Sequence, residues 1–337
     1  MSDIVNPPTG APLLEVRGLS KFYGNVLALQ DVTTTVEAGK VTCVLGDNGA
    51  GKSSFIKILS GVHKHDAGQM FLDGEEVSFS SPRDALDRGI ATVYQDLAVV
   101  PLMSVWRNFW LGDEPTRGVW PLRWIDIPKA KRIAREELLK MGIDIRDMEQ
   151  FVGTLSGGER QSVAIARAAY FGARVLILDE PTSALDVSVQ AQTLNLLKAL
   201  RREFNLTYLF ISHNLGVVRY MSQRIGVMYL GHIVETGATE PIFRTPQHPY
   251  TRILLSALPS LDPEAPSRRQ VLTGEPPTPI DPPPGCPFAP RCPDAQAICG
   301  QERPVLAQKG SDPTHRCACH FPRLVEAEKP IPMSNDK

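Results

Sequence analysis

Residues 41 to 59 run Val41-Thr42-Cys43-Val44-Leu45, then Gly46-Asp47-Asn48-Gly49-Ala50-Gly51-Lys52-Ser53, then Ser54-Phe55-Ile56-Lys57-Ile58-Leu59. The first run is apolar and partly β-branched, as a buried strand is, and the last has helical spacing. Between them stands G-x-x-x-x-G-K-[ST], the Walker A pattern. Its glycines let backbone N–H groups turn inward on phosphates, and the helix that follows adds its positive end. Gly46, Asn48, Gly49, Ala50, Gly51, Lys52, Ser53 and Ser54 are thus the expected phosphate-binding set. Lys52 is placed for the β- and γ-phosphates of ATP and Ser53 for Mg²⁺. An ordinary glycine-rich turn would not require the flanking strand and helix.

A second apolar run, Val175-Leu176-Ile177-Leu178, closes on Asp179-Glu180. Strands buried on both faces of a parallel sheet have this composition, and such sheets place ligands at the carboxyl ends of their strands. Asp179 is expected to hold the Mg²⁺ site and Glu180 to polarise an attacking water as general base. The alternative is a buried strand that meets a solvated acidic turn. Upstream, Leu155-Ser156-Gly157-Gly158-Glu159-Arg160-Gln161 opens a helical stretch over 159–170. Ser156 and the N–H groups behind it form either an anion site or a plain helix cap.

From about 13 to about 322 the chain resembles the ATP-binding subunits of ABC transporters, and the segment at Ser156 matches that family's signature motif. The resemblance implies a head-to-tail dimer in which Ser156 and Gly158 bind the γ-phosphate of ATP held by the partner. It also implies that Tyr23 stacks on adenine and that Gln95, a Q-loop glutamine, senses Mg²⁺ and the γ-phosphate. Asp186, in Ser183-Ala184-Leu185-Asp186, would reach the opposite subunit, and His213 would contact the γ-phosphate and orient Glu180. Mg²⁺ would be held through Ser53, Gln95 and Asp179. A lone Tyr, Gln or His is more often packing or surface; here they stand in register with the other stations.

The implied fold class is α/β, a P-loop NTPase of ABC type with a helical subdomain and a Pro- and Cys-rich C-terminal extension. The expected limits are 13–240 for the nucleotide-binding domain, about 101–154 for the helical subdomain and 241–325 for the extension. A length of 337 residues accommodates one such domain and an appendage. A net charge of −1 gives no basic field for nucleic acid. No apolar run reaches about 18 residues, and residues 1–12 form a polar, Pro-rich tail rather than a signal peptide. Membrane work is therefore expected through a partner. The helical pattern is clearest over 130–140, strands resume over 174–180, 206–211 and 225–235, and the proline-crowded stretch 246–293 is expected to hold no long helix.

The halves resemble different subfamilies. Gly46 to Lys52, Leu59-Ser60-Gly61-Val62 and Ser80-Ser81-Pro82-Arg83-Asp84-Ala85 are similar to ribose- or fructose-type sugar importer ATPases. Asp179 to Gln190 and Thr245-Pro246-Gln247-His248-Pro249-Tyr250-Thr251 resemble dipeptide and oligopeptide importer ATPases, with the joint at about 173–179. The resulting expectation is an ATPase subunit of an importer, at the cytoplasmic face of the inner membrane. Its partners would be permease subunits, a second ABC ATPase and, indirectly, a solute-binding protein. Peptide is the leading cargo and sugar the alternative; a reading of another class is an ABC-type ATPase acting on DNA or ribosomes.

Five of the six cysteines, Cys286, Cys292, Cys299, Cys317 and Cys319, crowd the extension, while Cys43 lies in the core strand as a small hydrophobe. A cytosolic setting disfavours disulfides, and five and six intervening residues suit a zinc knuckle poorly. The Cys-Pro pairs resemble ferredoxin ligand runs. Peptide-importer ATPases carry C-P-F-x-P-R-C-P and a later A-C-H, some with a [4Fe-4S] cluster. That resemblance implies Cys286, Cys292, Cys299 and Cys319 as ligands, with Cys317 as substitute or bystander; zinc and bare thiols are the alternatives.

Overall fold

The computed structural model describes residues 11–95, 98–120, 122–183, 185–258, 277–278, 280, 282 and 284–324. Expectations that fall on residues 1–10, Asp96, Ala184 and most of 259–283 lie outside the described residues.

The strands Arg224–Tyr229, Val41–Leu45, Thr207–Ile211, Val175–Asp179 and Ile90–Val93 lie side by side and parallel. Their near-continuous apolar sequence reflects burial on both faces. Cys43, Leu176, Leu178, Tyr208 and Phe210 join one core, whereas Val44, Val175, Ile177, Leu209 and Ile211 join the other. The first core includes the helices Val105–Trp110, Ile127–Lys140 and Gly157–Tyr170. There Phe109, Trp110, Tyr170 and Phe171 pack ring against ring, and the Trp110 indole N–H donates to the Ala130 carbonyl at 2.9 Å. The second core packs under an antiparallel sheet in the order Val26–Glu37, Pro12–Tyr23, Ala67–Leu72, Glu75–Val77.

Two features depart from the sequence pattern. Within the helical region, Thr116–Arg117 pairs with Trp124–Ile125 as a small hairpin. The strand expected over 225–235 is two antiparallel strands, Arg224–Tyr229 and His232–Ala238, which turn at Leu230 and Gly231, both with positive φ. The extension then joins the main sheet: Arg316–Cys317 pairs with His232–Ala238, Glu235 opposite Cys317, and Ala307–Gln308 pairs beyond it.

Glu235 is fully buried and holds the extension in place. Its carboxylate accepts from the backbone N–H groups of Gln247 at 2.7 Å and His248 at 3.0 Å, and His315 Nε2 lies 2.6 Å away. A buried carboxylate is tolerable because several donors replace its water. The helix Pro249–Ser256 starts from this junction, with Pro in its first turn and His248 as its cap.

Candidate active site

Parallel register gathers the candidate residues. Ile211 stands opposite both Val44 and Asp179, and Val93 opposite Leu178. Gly46, Glu180, Ser212 and Tyr94 therefore leave the sheet from one carboxyl edge, where α/β sheets bind ligands.

The phosphate loop needs its glycines for close approach. A Cβ on Gly46 would stand 2.3 Å from the Met228 carbonyl oxygen, and one on Gly51, at φ 102°, would stand 2.7 Å from that of Ala28. The Gly231 N–H donates to the Ala50 carbonyl at 2.8 Å, so the 230–231 turn supports the loop from below. No motif marked Gly231; its only sequence signal is a glycine between two strand-like runs. Lys52, at the start of the helix Lys52–Leu59, is buried, and its Nζ donates to the carbonyls of Gly46 at 2.6 Å and Asp47 at 2.9 Å. Burial lowers its pKa, opposed by Glu180, Asp47 and Asp179.

Asp179 ends its strand half-buried, and burial, then the Glu180 charge, raises its pKa against the pull of Lys52. Glu180 holds a left-handed backbone at φ 46°, a conformation that costs a side-chain-bearing residue on the order of 1–3 kcal/mol. Its N–H donates to the Ile211 carbonyl at 3.0 Å, and its own carbonyl accepts from the Ser183 N–H and hydroxyl at 3.1 and 2.9 Å. The carboxylate lies 2.7 Å from His213 Nδ1. Lys52, Asp179, Glu180 and His213 thus converge.

Other expected residues are held locally. Ser156 caps Gly157–Tyr170 in a reciprocal box with Glu159, and its hydroxyl accepts from the Glu159 N–H at 3.2 Å. A Cβ on Gly158 would meet Val189 Cγ1 at 2.7 Å, so this helix backs closely onto Val187–Phe204. Asp186 caps that second helix; it accepts from the Val189 N–H at 2.9 Å and the Ser188 hydroxyl at 2.8 Å, which hold its carboxyl below the usual range. Among the described residues, no hydrogen bond or ion pair joins Ser156, Gly158 or Asp186 to the Lys52 group. Tyr23 ends its strand partly exposed, its ring edge-on to His63 at 5.5 Å. Gln95 lies exposed past Ile90–Val93, and the neighbouring Tyr94 hydroxyl donates to the Ser60 hydroxyl at 3.0 Å. The Ser53 hydroxyl, Gln95 amide and Asp179 carboxylate are hard oxygen donors and suit Mg²⁺.

The iron-sulfur expectation requires correction. Cys286, Cys292, Cys299 and Cys319 do line one cavity, with Phe288 and His248, but its volume is about 10 Å³, room for about one water. Among the described residues, no three Cys, His, Asp or Glu side chains stand where they could together hold a metal ion. Burial raises the Cys286 and Cys319 thiols and pushes Cys292 up to about 11. Cys317 is buried outside this cavity, on the strand facing Glu235, and its thiol too is pushed up by burial. The extension is held instead through the main sheet, Glu235 and the fully buried Phe288.

A nucleoside triphosphatase of the P-loop class is what this sheet edge defines. The ABC transporter family matches residues 29–183, and the C-terminal region of oligopeptide/dipeptide transporters matches 234–299. The chain is 37% identical to the di/tripeptide transport ATP-binding protein DppF of Pseudomonas aeruginosa (strain UCBPP-PA14), over 90% of this chain and 93% of that one. It is 35% identical to the oligopeptide transport ATP-binding protein AppF of Bacillus subtilis (strain 168), over 92% and 97%. An ATP-binding cassette solved as a dimer in a post-hydrolysis state with ADP and Pi matches with TM-score 0.57 and 25% identity, over 67% of this chain and 99% of that one. The chain belongs to the ATP-binding subunits of ABC transporters and is an ATP-hydrolysing member of the group that resembles peptide importer ATPases. Both peptide-type relatives align across 173–179, so they give no support to a change of relationship there. Among the described residues, no helix is long and apolar enough to cross a membrane.

Proposed function

We propose that this chain energises a membrane importer for dipeptides or oligopeptides. The observation that carries the reading is the match of 234–299 to the oligopeptide/dipeptide transporter C-terminal region, in a chain whose peptide-type relatives span both halves. In this reading the loop N–H groups and Lys52 bind the ATP phosphates, and Tyr23 stacks on the base. Ser53, Gln95 and Asp179 would hold Mg²⁺, which neutralises charge on the β- and γ-oxygens. Glu180 takes the proton of the attacking water, and its left-handed backbone and His213 aim the carboxylate. Ser156 and Gly158 complete the site of a partner subunit across a head-to-tail dimer, and Asp186 approaches the partner's loop.

The groove between the helical region and the sheet, about 660 Å³ and lined by Leu86, Tyr94, Val99, Val163, Arg167 and Phe171, is the proposed seat of a permease segment. The proposed limits are 13–240 for the nucleotide-binding domain, with the helical subdomain at about 101–154, and 241–325 for the extension. The subunit works peripherally at the cytoplasmic face, with a solute-binding protein acting on the far side. Reconstituted with a peptide-type permease pair, its ATP hydrolysis should rise when a peptide-loaded binding protein is added. Stimulation by a sugar-loaded binding protein instead would overturn the peptide reading.

A further inference from the structure

The hydroxyl of Tyr250 accepts a hydrogen bond of 3.0 Å from the backbone N–H of Asp47, the second residue of the phosphate loop. Tyr250 belongs to the helix Pro249–Ser256 and is completely buried. None of the roles above uses it.

Its position is fixed from three directions. The ring packs between Tyr229, at 4.6 Å, and Phe288, at 5.4 Å. Tyr229 ends the strand whose Met228 carbonyl backs Gly46, and Phe288 comes from the loop that carries Cys286 and Cys292. The Tyr250 N–H donates to His248 Nδ1 at 3.1 Å, and the His248 N–H donates to Glu235. Burial, then the Asp47 charge, pushes the phenol far above its ordinary pKa, so it stays a neutral hydroxyl.

The peptide between Gly46 and Asp47 is therefore gripped on both sides, its N–H by Tyr250 and its C=O by Lys52 Nζ at 2.6 Å, and Lys52 also holds the Asp47 C=O at 2.9 Å. A lysine that turns its ammonium to a phosphate gives up part of its hold on the loop carbonyls. The Tyr250 contact involves no group that a phosphate competes for. A loop fixed before the ligand arrives does not charge its ordering to the binding free energy.

We propose that Tyr250 is a positioning residue for nucleotide binding: it fixes the entrance of the phosphate loop, and through it the C-terminal extension sets the affinity for the nucleotide phosphates. This rests on the reading of the loop as the ATP site. The effect falls on binding, because Glu180 and His213 come from other strands and do not depend on Asp47.

The test is Tyr250→Phe in the full chain, which keeps the ring and removes the hydroxyl. Mg-ADP affinity by calorimetry, kcat and KM for ATP, and the melting temperature are measured beside wild type. Loss of one hydrogen bond that orders the loop should weaken ADP binding and raise KM by about three- to tenfold, with kcat within about twofold. Unchanged ADP affinity and KM overturn the proposal, and so does a parallel fall of affinity, kcat and melting temperature, the mark of a merely structural role. Phe288→Leu keeps the hydroxyl and loosens its seat; it carries the same two outcomes should Tyr250→Phe not fold. Lys52→Ala separates the two readings. If it binds ADP as wild type does, the ATP-site assignment itself fails. If it loses ADP while Tyr250→Phe does not, only the role of Tyr250 fails.

Discussion

His213 Nδ1 lies 2.7 Å from Glu180 Oε2, and so joins the residue that follows one strand to a residue just past the end of its neighbour. If the pair positions the attacking water, Glu180→Gln should keep ATP affinity and lower kcat by about 10²- to 10⁴-fold. His213→Ala should lose kcat with little change in nucleotide binding. Single-turnover hydrolysis beside equilibrium binding measures both, and wild-type turnover by Glu180→Gln would remove the assignment.

Gly46→Ala tests the seat of the phosphate loop. The added methyl would lie 2.3 Å from a backbone carbonyl, so loop or strand must move. The expected outcome is at least about tenfold weaker ATP binding and a stability loss on the order of 1–3 kcal/mol. Titration with nucleotide and denaturant unfolding read the two effects separately.

Complementation tests the arrangement across a dimer. Ser156→Arg should stop hydrolysis at the partner's site, whereas Lys52→Ala disables the site on its own chain. A mixture of the two variants in a self-pairing assembly should regain partial activity from dimers with one working site. Mixed dimers that form and stay inactive would rule out the head-to-tail geometry.

His248 gives the fold an acid limit. Burial holds its pKa down at about 4, from an ordinary 6.5, so the folded chain keeps it neutral while the unfolded chain protonates it. Its contribution is fully present above pH 6.5, falls as pH drops from 6.5 to about 4, and levels off below, a loss on the order of 3 kcal/mol. His232, also held down at about 4 by burial, acts in the same direction. His248→Asn can still accept the Tyr250 N–H and does not titrate, so its stability should fall less steeply across this window.

Cys292, the least buried thiol of its cavity, should alkylate slowly near neutral pH. With its pKa pushed up to about 11, the reactive thiolate accumulates only as pH climbs toward that value. Mass spectrometry of iodoacetamide-treated protein across pH 7 to 10 should show a continuing rise; a plateau below about pH 9 would contradict the buried, protonated setting.

What the sequence made legible was local. A phosphate loop, a strand that ends in carboxylates and a serine three residues before a glutamate each carry their geometry in consecutive residues, so Lys52, Asp179, Glu180 and Ser156 stand out before any fold is known. The contacts of Asp47 with Tyr250 and of Glu235 with His315 join residues far apart in the chain, and no periodicity announces them. The hairpin at Thr116 and Trp124 escaped notice because strands of two residues carry no alternation. The cysteines were misread for a related reason. Their resemblance to a cluster-bearing pattern implied a metal, and that pattern is silent about the strand His232–Ala238, which supplies the extension with support.

That support runs both ways. Arg316–Cys317 pairs with Glu235 and Thr236 at the middle of the outer side of His232–Ala238, and Ala307–Gln308 then forms a two-residue outermost strand there. A short outermost strand offers little template to a foreign chain. A chain cut ahead of Arg316 would bare the backbone groups of Val234, Glu235 and Thr236 in the middle of that strand, and should join sheet to sheet with neighbouring copies more readily.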